Sequence, residues 1–206
     1  MAKEIEAKFI NINKDDIILK LKQLGAELVY EERLLRRRVY DLSYPKAGAW
    51  ARVRDEVDKI TMTYKYVNER SLNGVEEVEI EVSDFNKACE FLASVGLVEK
   101  AYQETKRTRY FIKAENVEFD IDTWPSLNPL IEIESDNEDT VKKYANLLGF
   151  NWENAFFGGA DSVFAHEYNI DEDWINNKCP LLSFEHIPPE LQENNKRTIS
   201  TTTDSS

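Results

Sequence analysis

A chain of 206 residues and 24.0 kDa has the length of one domain with a tail, and its 42 % hydrophobic content is enough for a core. A net charge of −13 and a pI near 4.7 argue against general nucleic-acid binding or an acidic-membrane partner, both of which need a basic surface. No apolar run approaches the roughly 18 residues of a membrane-spanning helix, and Cys89 and Cys179, without paired spacing, fit a reduced, cytoplasmic setting.

The chain reads as a strand almost from its first residue. Glu4, Glu6 and Lys8 alternate with Ile5 and Ala7, so an extended backbone puts the charges on one face and the apolar residues on the other. A helix over 15–25 follows and stops at Gly25. Residues 27–41 then read as a strand, a charged turn and a basic strand, with the Arg36-Arg37-Arg38 run as a solvated face. Ala49–Asp55 and Lys59–Tyr66 form a hairpin carrying Arg52 and Arg54 on one arm and Lys65 on the other. Asn73-Gly74 marks the next turn, and Glu79 and Glu81 flank Ile80 on the strand beyond it. A second helix ends at Gly96, and residues 98–112 repeat the strand, turn and basic strand, finishing with Arg107 and Arg109. Another hairpin joins Val117–Asp122, which holds Asp120 and Asp122, to Leu130–Ser135, where Glu132 and Glu134 flank Ile133. The third helix runs to Gly149; all three start at capping-type residues and stop at glycine. Residues 171–187 read as a docking segment through Trp174, Leu181, Leu182 and Phe184, and 188–206 as a polar, disordered tail.

One Glu-x-Glu strand is ordinarily a solvated edge, since charge protects edges from pairing. Here three such strands are matched by a set of opposite sign, and eight of the ten arginines fall within 33–38, 52–54 and 107–109. Eight antiparallel strands can close into a barrel whose residues alternate inward and outward. Counting gives about eight to nine strands and three main helices, so the expected fold is α+β and predominantly β, with an eight-stranded antiparallel closed β-barrel and flanking helices as the arrangement that closes the sheet. Charges of both signs inside such a bore must be paired or bound to a ligand. Carboxylates suit hard divalent ions, and arginines suit phosphate oxygens.

In this order, Glu4/Glu6/Lys8, Arg52/Arg54, Lys65, Glu79/Glu81, Arg107/Arg109, Asp120/Asp122 and Glu132/Glu134 resemble the CYTH superfamily, the triphosphate tunnel metalloenzymes. That family includes class IV adenylate cyclases, thiamine triphosphatases and inorganic triphosphatases. Over residues 1–170 the resemblance implies an eight-stranded antiparallel tunnel, a triphosphate-containing small molecule within it and Mg²⁺ or Mn²⁺ on its carboxylates. Carried over residue by residue, it implies metal binding at Glu4, Glu6, Glu79, Glu81, Asp122, Glu132 and Glu134. It likewise implies substrate binding at Lys8, Arg52, Arg54, Lys65, Arg107 and Arg109, with Glu4, Glu6, Lys8 and Glu132 catalytic. The chain departs from many class IV cyclases, which carry His-Phe before the first acidic strand; here Met1-Ala2-Lys3 stands there. Hydrolysis of a nucleoside, thiamine or inorganic triphosphate is therefore the expected reaction. Cyclisation of ATP to cyclic AMP and pyrophosphate, and non-enzymatic binding of polyphosphate or nucleotide, are the alternatives. The expected assembly is a monomer or homodimer.

Overall fold

Alternation of apolar and charged residues is what makes this chain a sheet: each strand has one face to bury and one to keep polar. The computed structural model describes residues 2–3, 5–44, 46–67 and 75–197. Glu4, the Asn73-Gly74 turn and 198–206 lie outside them. The strands are β1 (Ala2–Lys3), β2 (Ile5–Phe9), β3 (Glu27–Asp41), β4 (Ala49–Asp55), β5 (Ile60–Val67), β6 (Val75–Val82), β7 (Val98–Ile112), β8 (Val117–Thr123), β9 (Leu130–Ser135) and β10 (Leu181–Leu182). The helices are α1 (Lys14–Gln23), α2 (Phe85–Ser94), α3 (Glu138–Leu148), α4 (Ala160–Glu167) and α5 (Trp174–Asn177).

Eight strands, β2 to β9, form a curled, antiparallel half-barrel sheet. The hydrogen-bonded order is β1-β6-β5-β4-β3-β7-β8-β9-β2, with β10 added in parallel to β7. The first and last members of this path are successive stretches of the N-terminal segment. Ala2 pairs with Glu77 of β6, while Ile5 pairs with Ser135 of β9.

The apolar face carries the helices. Ala7, Phe119, Ile131 and Ile133 pack with Leu21 of α1 and Val141, Ala145 and Leu148 of α3, all almost fully buried. Phe9 stacks on Phe150 with ring centroids 4.4 Å apart. Tyr40, Ala51 and Val53 pack on Phe85, Ala88 and Leu92 of α2. The glycine stops hold, Gly25, Gly96 and Gly149 having positive φ, and Asp84 and Asn137 accept from the first turns of α2 and α3. The first helix, α1, starts at Lys14, ahead of the expected residue 15, with Asn13 accepting from its first turn.

Two expectations are corrected. Residues 27–41 and 98–112 are not interrupted by charged turns but are single 15-residue strands paired with each other. No glycine or proline breaks them; register shifts near Leu28, Tyr30 and Val39 bend them as bulges instead. The tail is also ordered over 188–197. Leu191 is fully buried in a third cluster with Trp124, Phe164 and Leu182. The Arg197 backbone N–H donates to the Glu167 carbonyl at 2.8 Å, and its Nε donates to the Tyr168 carbonyl at 3.0 Å. Polarity hid this anchoring because one leucine and backbone hydrogen bonds carry it. Among the described residues no helix is long and apolar enough to cross a membrane.

Candidate functional site

Strand register brings the charged residues of the opposite face together. Glu6 lies opposite Glu134 and Lys8 opposite Glu132; Glu132 in turn lies opposite Asp120, and Arg107 and Arg109 lie opposite Asp122 and Asp120. Lys8 is 2 % exposed, with Nζ 2.7 Å from Glu6 Oε1 and 3.1 Å from Glu132 Oε1. Burial opposes its charge, but the two carboxylates outweigh burial and raise the ammonium above its usual range. Burial likewise opposes ionisation of Glu132, yet Lys8 and Arg107 hold that carboxyl well below the usual range.

Arg107 is the centre of this half of the site. Its Nε and Nη2 donate to the two oxygens of Asp122, each at 2.6 Å, Nη2 also reaches Glu132 Oε2 at 2.8 Å, and Nη1 donates to Asp120. Arg109 grips Asp120 through Nε at 2.7 Å and Nη2 at 2.6 Å. Such bidentate pairs fix guanidinium planes in advance. Asp122, expected beside a metal, sits in the fork of Arg107.

The second half of the site spans β4, β5 and β6. Arg52 and Arg54 lie opposite Thr63 and Thr61, which lie opposite Glu79 and Glu81. Arg52 is buried, with Nη2 3.8 Å from both Glu77 Oε1 and Glu79 Oε2; Lys65 Nζ is 2.8 Å from Glu77 Oε2. Glu79 accepts from Thr63 Oγ1 at 3.0 Å; Glu81 shares its parity, and both residues are exposed. The curl turns the two halves toward each other. Arg54 and Glu132 stand four strands apart along the path, roughly 19 Å if the sheet were flat, yet Arg54 helps hold the Glu132 carboxyl down.

The Arg36-Arg37-Arg38 run splits by strand parity. Arg36 pairs with Asp55 at 2.9 Å and Arg38 with Glu99 at 2.7 Å on the outer face, as a solvated run would. Arg37 turns into the site with Arg33. Its Nε donates to Gln103 Oε1 at 2.8 Å, and its guanidinium lies 4.5 Å over the Trp124 ring. Arg37, Glu77 and Asp120 join the site by the same alternation that picks out their neighbours. Period-two counting along β3, β6 and β8 is the signal that finds them.

Carboxylate oxygens from adjacent strands form a donor set of the type a hard divalent ion takes. Among the described residues, however, no three His, Cys, Asp or Glu side chains form a ready-made metal cage. Lys8 and Arg107 hold Glu6, Glu132 and Asp122 instead.

A family model described as the CYTH domain matches residues 2–152. Among solved structures, PH1012 from Pyrococcus horikoshii OT3 is 26 % identical with a TM-score of 0.62, over 74 % of this chain and 93 % of that one. A candidate adenylate cyclase from Vibrio parahaemolyticus shares the fold at 15 % identity and a TM-score of 0.65, over 80 % and 98 % of the two chains. HpAC1 from Hippeastrum, a candidate adenylyl cyclase with a dominant triphosphatase activity, does so at 17 % and 0.52, over 80 % and 95 %. No curated protein matches the chain.

Proposed function

Because the chain belongs to the CYTH domain family, we propose that it is a metal-dependent phosphohydrolase acting on a triphosphate-bearing substrate, whether nucleoside, thiamine or inorganic triphosphate. One observation carries the reading: Lys8 and Arg107 meet on one carboxylate, Glu132, and Arg54 from the other half of the curled sheet lines a cleft with Arg107. A triphosphate with about four negative charges matches that lining, and bidentate arginines fit its oxygens. The same reading takes the half-barrel as a closed tunnel. Its support is that β1 and β2, at the two ends of the sheet path, are successive parts of one segment.

Lys8, Arg52, Arg54, Lys65, Arg107 and Arg109 bind the phosphates in this proposal. Asp120 and Asp122 hold Arg107 and Arg109 in place, so little side-chain freedom is lost on binding. Glu6, Glu132 and Glu134, with Glu4, hold Mg²⁺ or Mn²⁺, and Glu79 and Glu81 supply further oxygens on the opposite wall. The ion supplies charge neutralisation at the phosphate oxygens when bound. Hydrolysis at the terminal phosphorus needs only anchored phosphates and a positioned water, whereas cyclisation needs base and ribose gripped as well. The triphosphatase activity of the Hippeastrum relative supports the hydrolytic choice.

Tripolyphosphate, ATP, GTP and thiamine triphosphate are to be assayed with Mg²⁺ and with Mn²⁺. Orthophosphate release from at least one, with little cyclic AMP from ATP, is expected. Cyclic AMP and pyrophosphate as the dominant products would favour the cyclase, and binding without turnover would favour a non-enzymatic module. Glu6→Gln and Glu132→Gln should each lower turnover by at least a hundredfold, roughly 2.7 kcal/mol in barrier. Near-normal activity of either at limiting Mn²⁺ removes the metal assignment.

A further inference from the structure

Arg37 differs from the other site arginines in having no carboxylate to hold it. Among the described residues its one hydrogen-bond partner is the neutral Gln103, and no protein acceptor takes Nη1 or Nη2. Arg54 is its direct cross-strand partner, and Arg37, Arg54 and Arg107 line one cleft with Leu35, Thr105 and Trp124. Burial and the repulsion of Arg54, Arg52 and Arg107 disfavour its charge and outweigh the attraction of Asp122, holding the guanidinium well below the usual arginine range. Nη1 and Nη2 of Arg37 are thus open to an acceptor from outside the protein.

The seat of this arginine is built by chain beyond the family match. Gln103 is fully buried; its Oε1 accepts from Arg37, and its Nε2 donates to the Ile175 carbonyl at 3.3 Å. Leu182 of β10 is the cross-strand partner of Gln103. Trp124, under the guanidinium, meets Phe164 edge-on at 6.0 Å and packs in the cluster with Leu182 and Leu191. Ile175, Phe164, Leu182 and Leu191 all lie after residue 152, where the CYTH match ends.

We propose that Arg37 is an additional substrate-binding residue that takes phosphate oxygens of a linear polyphosphate, in a subsite that the C-terminal segment builds through Gln103 and Trp124. This rests on the triphosphate reading above. It assigns the C-terminal segment a part in binding, where burial of Leu182 and Leu191 alone would make it a brace.

The test is calorimetric binding of inorganic tripolyphosphate to the full chain without added metal, with thermal melting of the same proteins. Arg37→Gln should bind ten- to a hundredfold more weakly, and Arg37→Lys should recover part of the loss. Gln103→Leu, which cuts the link to Ile175, should weaken binding severalfold. Under turnover conditions Arg37→Gln should raise KM with kcat changed less than threefold. Its ligand-free melting temperature should not fall, because the substitution removes an unpaired cation. Unchanged tripolyphosphate affinity in Arg37→Gln, with Arg52→Ala impaired, overturns this inference and leaves the triphosphate reading standing. A wild-type protein that neither binds nor cleaves any triphosphate overturns both.

Discussion

Glu56 sits where β4 turns into β5, only 5 % exposed, with Arg54 Nη1 3.2 Å and Lys59 Nζ 3.4 Å from its two oxygens. Burial by itself would raise this carboxyl, but Arg54 and Lys59 outweigh it and bring it down to about 2 from an ordinary 4.5. A depressed carboxyl stabilises the fold fully above its unfolded value, and that contribution is lost as pH falls through the folded one. Glu56→Gln should therefore cost roughly 2–3 kcal/mol at pH 7. The gap to wild type should close between pH 4.5 and about 2. Urea denaturation across that range checks it; a gap that does not change with pH would mean the loss is one of packing. No feature of the sequence marks Glu56, because it lies past the strand end, where alternation stops predicting direction. Within strands the same rule worked for Glu6, Lys8, Arg107 and Glu132. It extends to Arg37 once the arginine run is read by parity and not as a block.

At the scale of elements, helix ends were legible and strand lengths were not. A helix stop is written locally, in a glycine able to take positive φ, and Gly149 does so at 91°. Whether a strand continues through Glu-Glu-Arg depends on a partner, and β3 and β7 supply that partner for each other over 15 residues. Their bulges are tertiary consequences of curl, so no local residue announces them. The start of α3 offers a clean local test. Asn137 Oδ1 accepts from the Asp139 N–H at 2.8 Å and from the Thr140 N–H at 3.3 Å, and the helix packs on β9 and β2. Asn137→Ala should cost about 1 kcal/mol of global stability, and Asn137→Asp almost none, measured by denaturant midpoint at constant m. An alanine variant as stable as wild type would show that water caps the helix equally well.

For the whole molecule the proposed function asks a chain of net charge −13 to take a polyanion. The basic groups of the proposed site are mostly matched by carboxylates within it, as Arg107 is by Asp122 and Lys65 by Glu77. Seen from beyond one Debye length, a triphosphate therefore meets the acidic exterior first. That length is about 30 Å at 0.01 M salt and about 10 Å at 0.1 M. Raising salt shortens the repulsive reach of the exterior, while the close contacts at Arg107 and Arg109 lie inside the screening distance. The association rate of tripolyphosphate should accordingly rise severalfold between 0.01 and 0.1 M salt. The dissociation rate should change less, because those close contacts are little screened. Stopped-flow binding at several salt concentrations, with osmolarity held constant, separates the two rates. An association rate that falls with salt would mean that the local cationic field reaches past the mouth and governs the approach. The acidic exterior would then serve solubility alone, and access to the site would be set by the few residues at its rim.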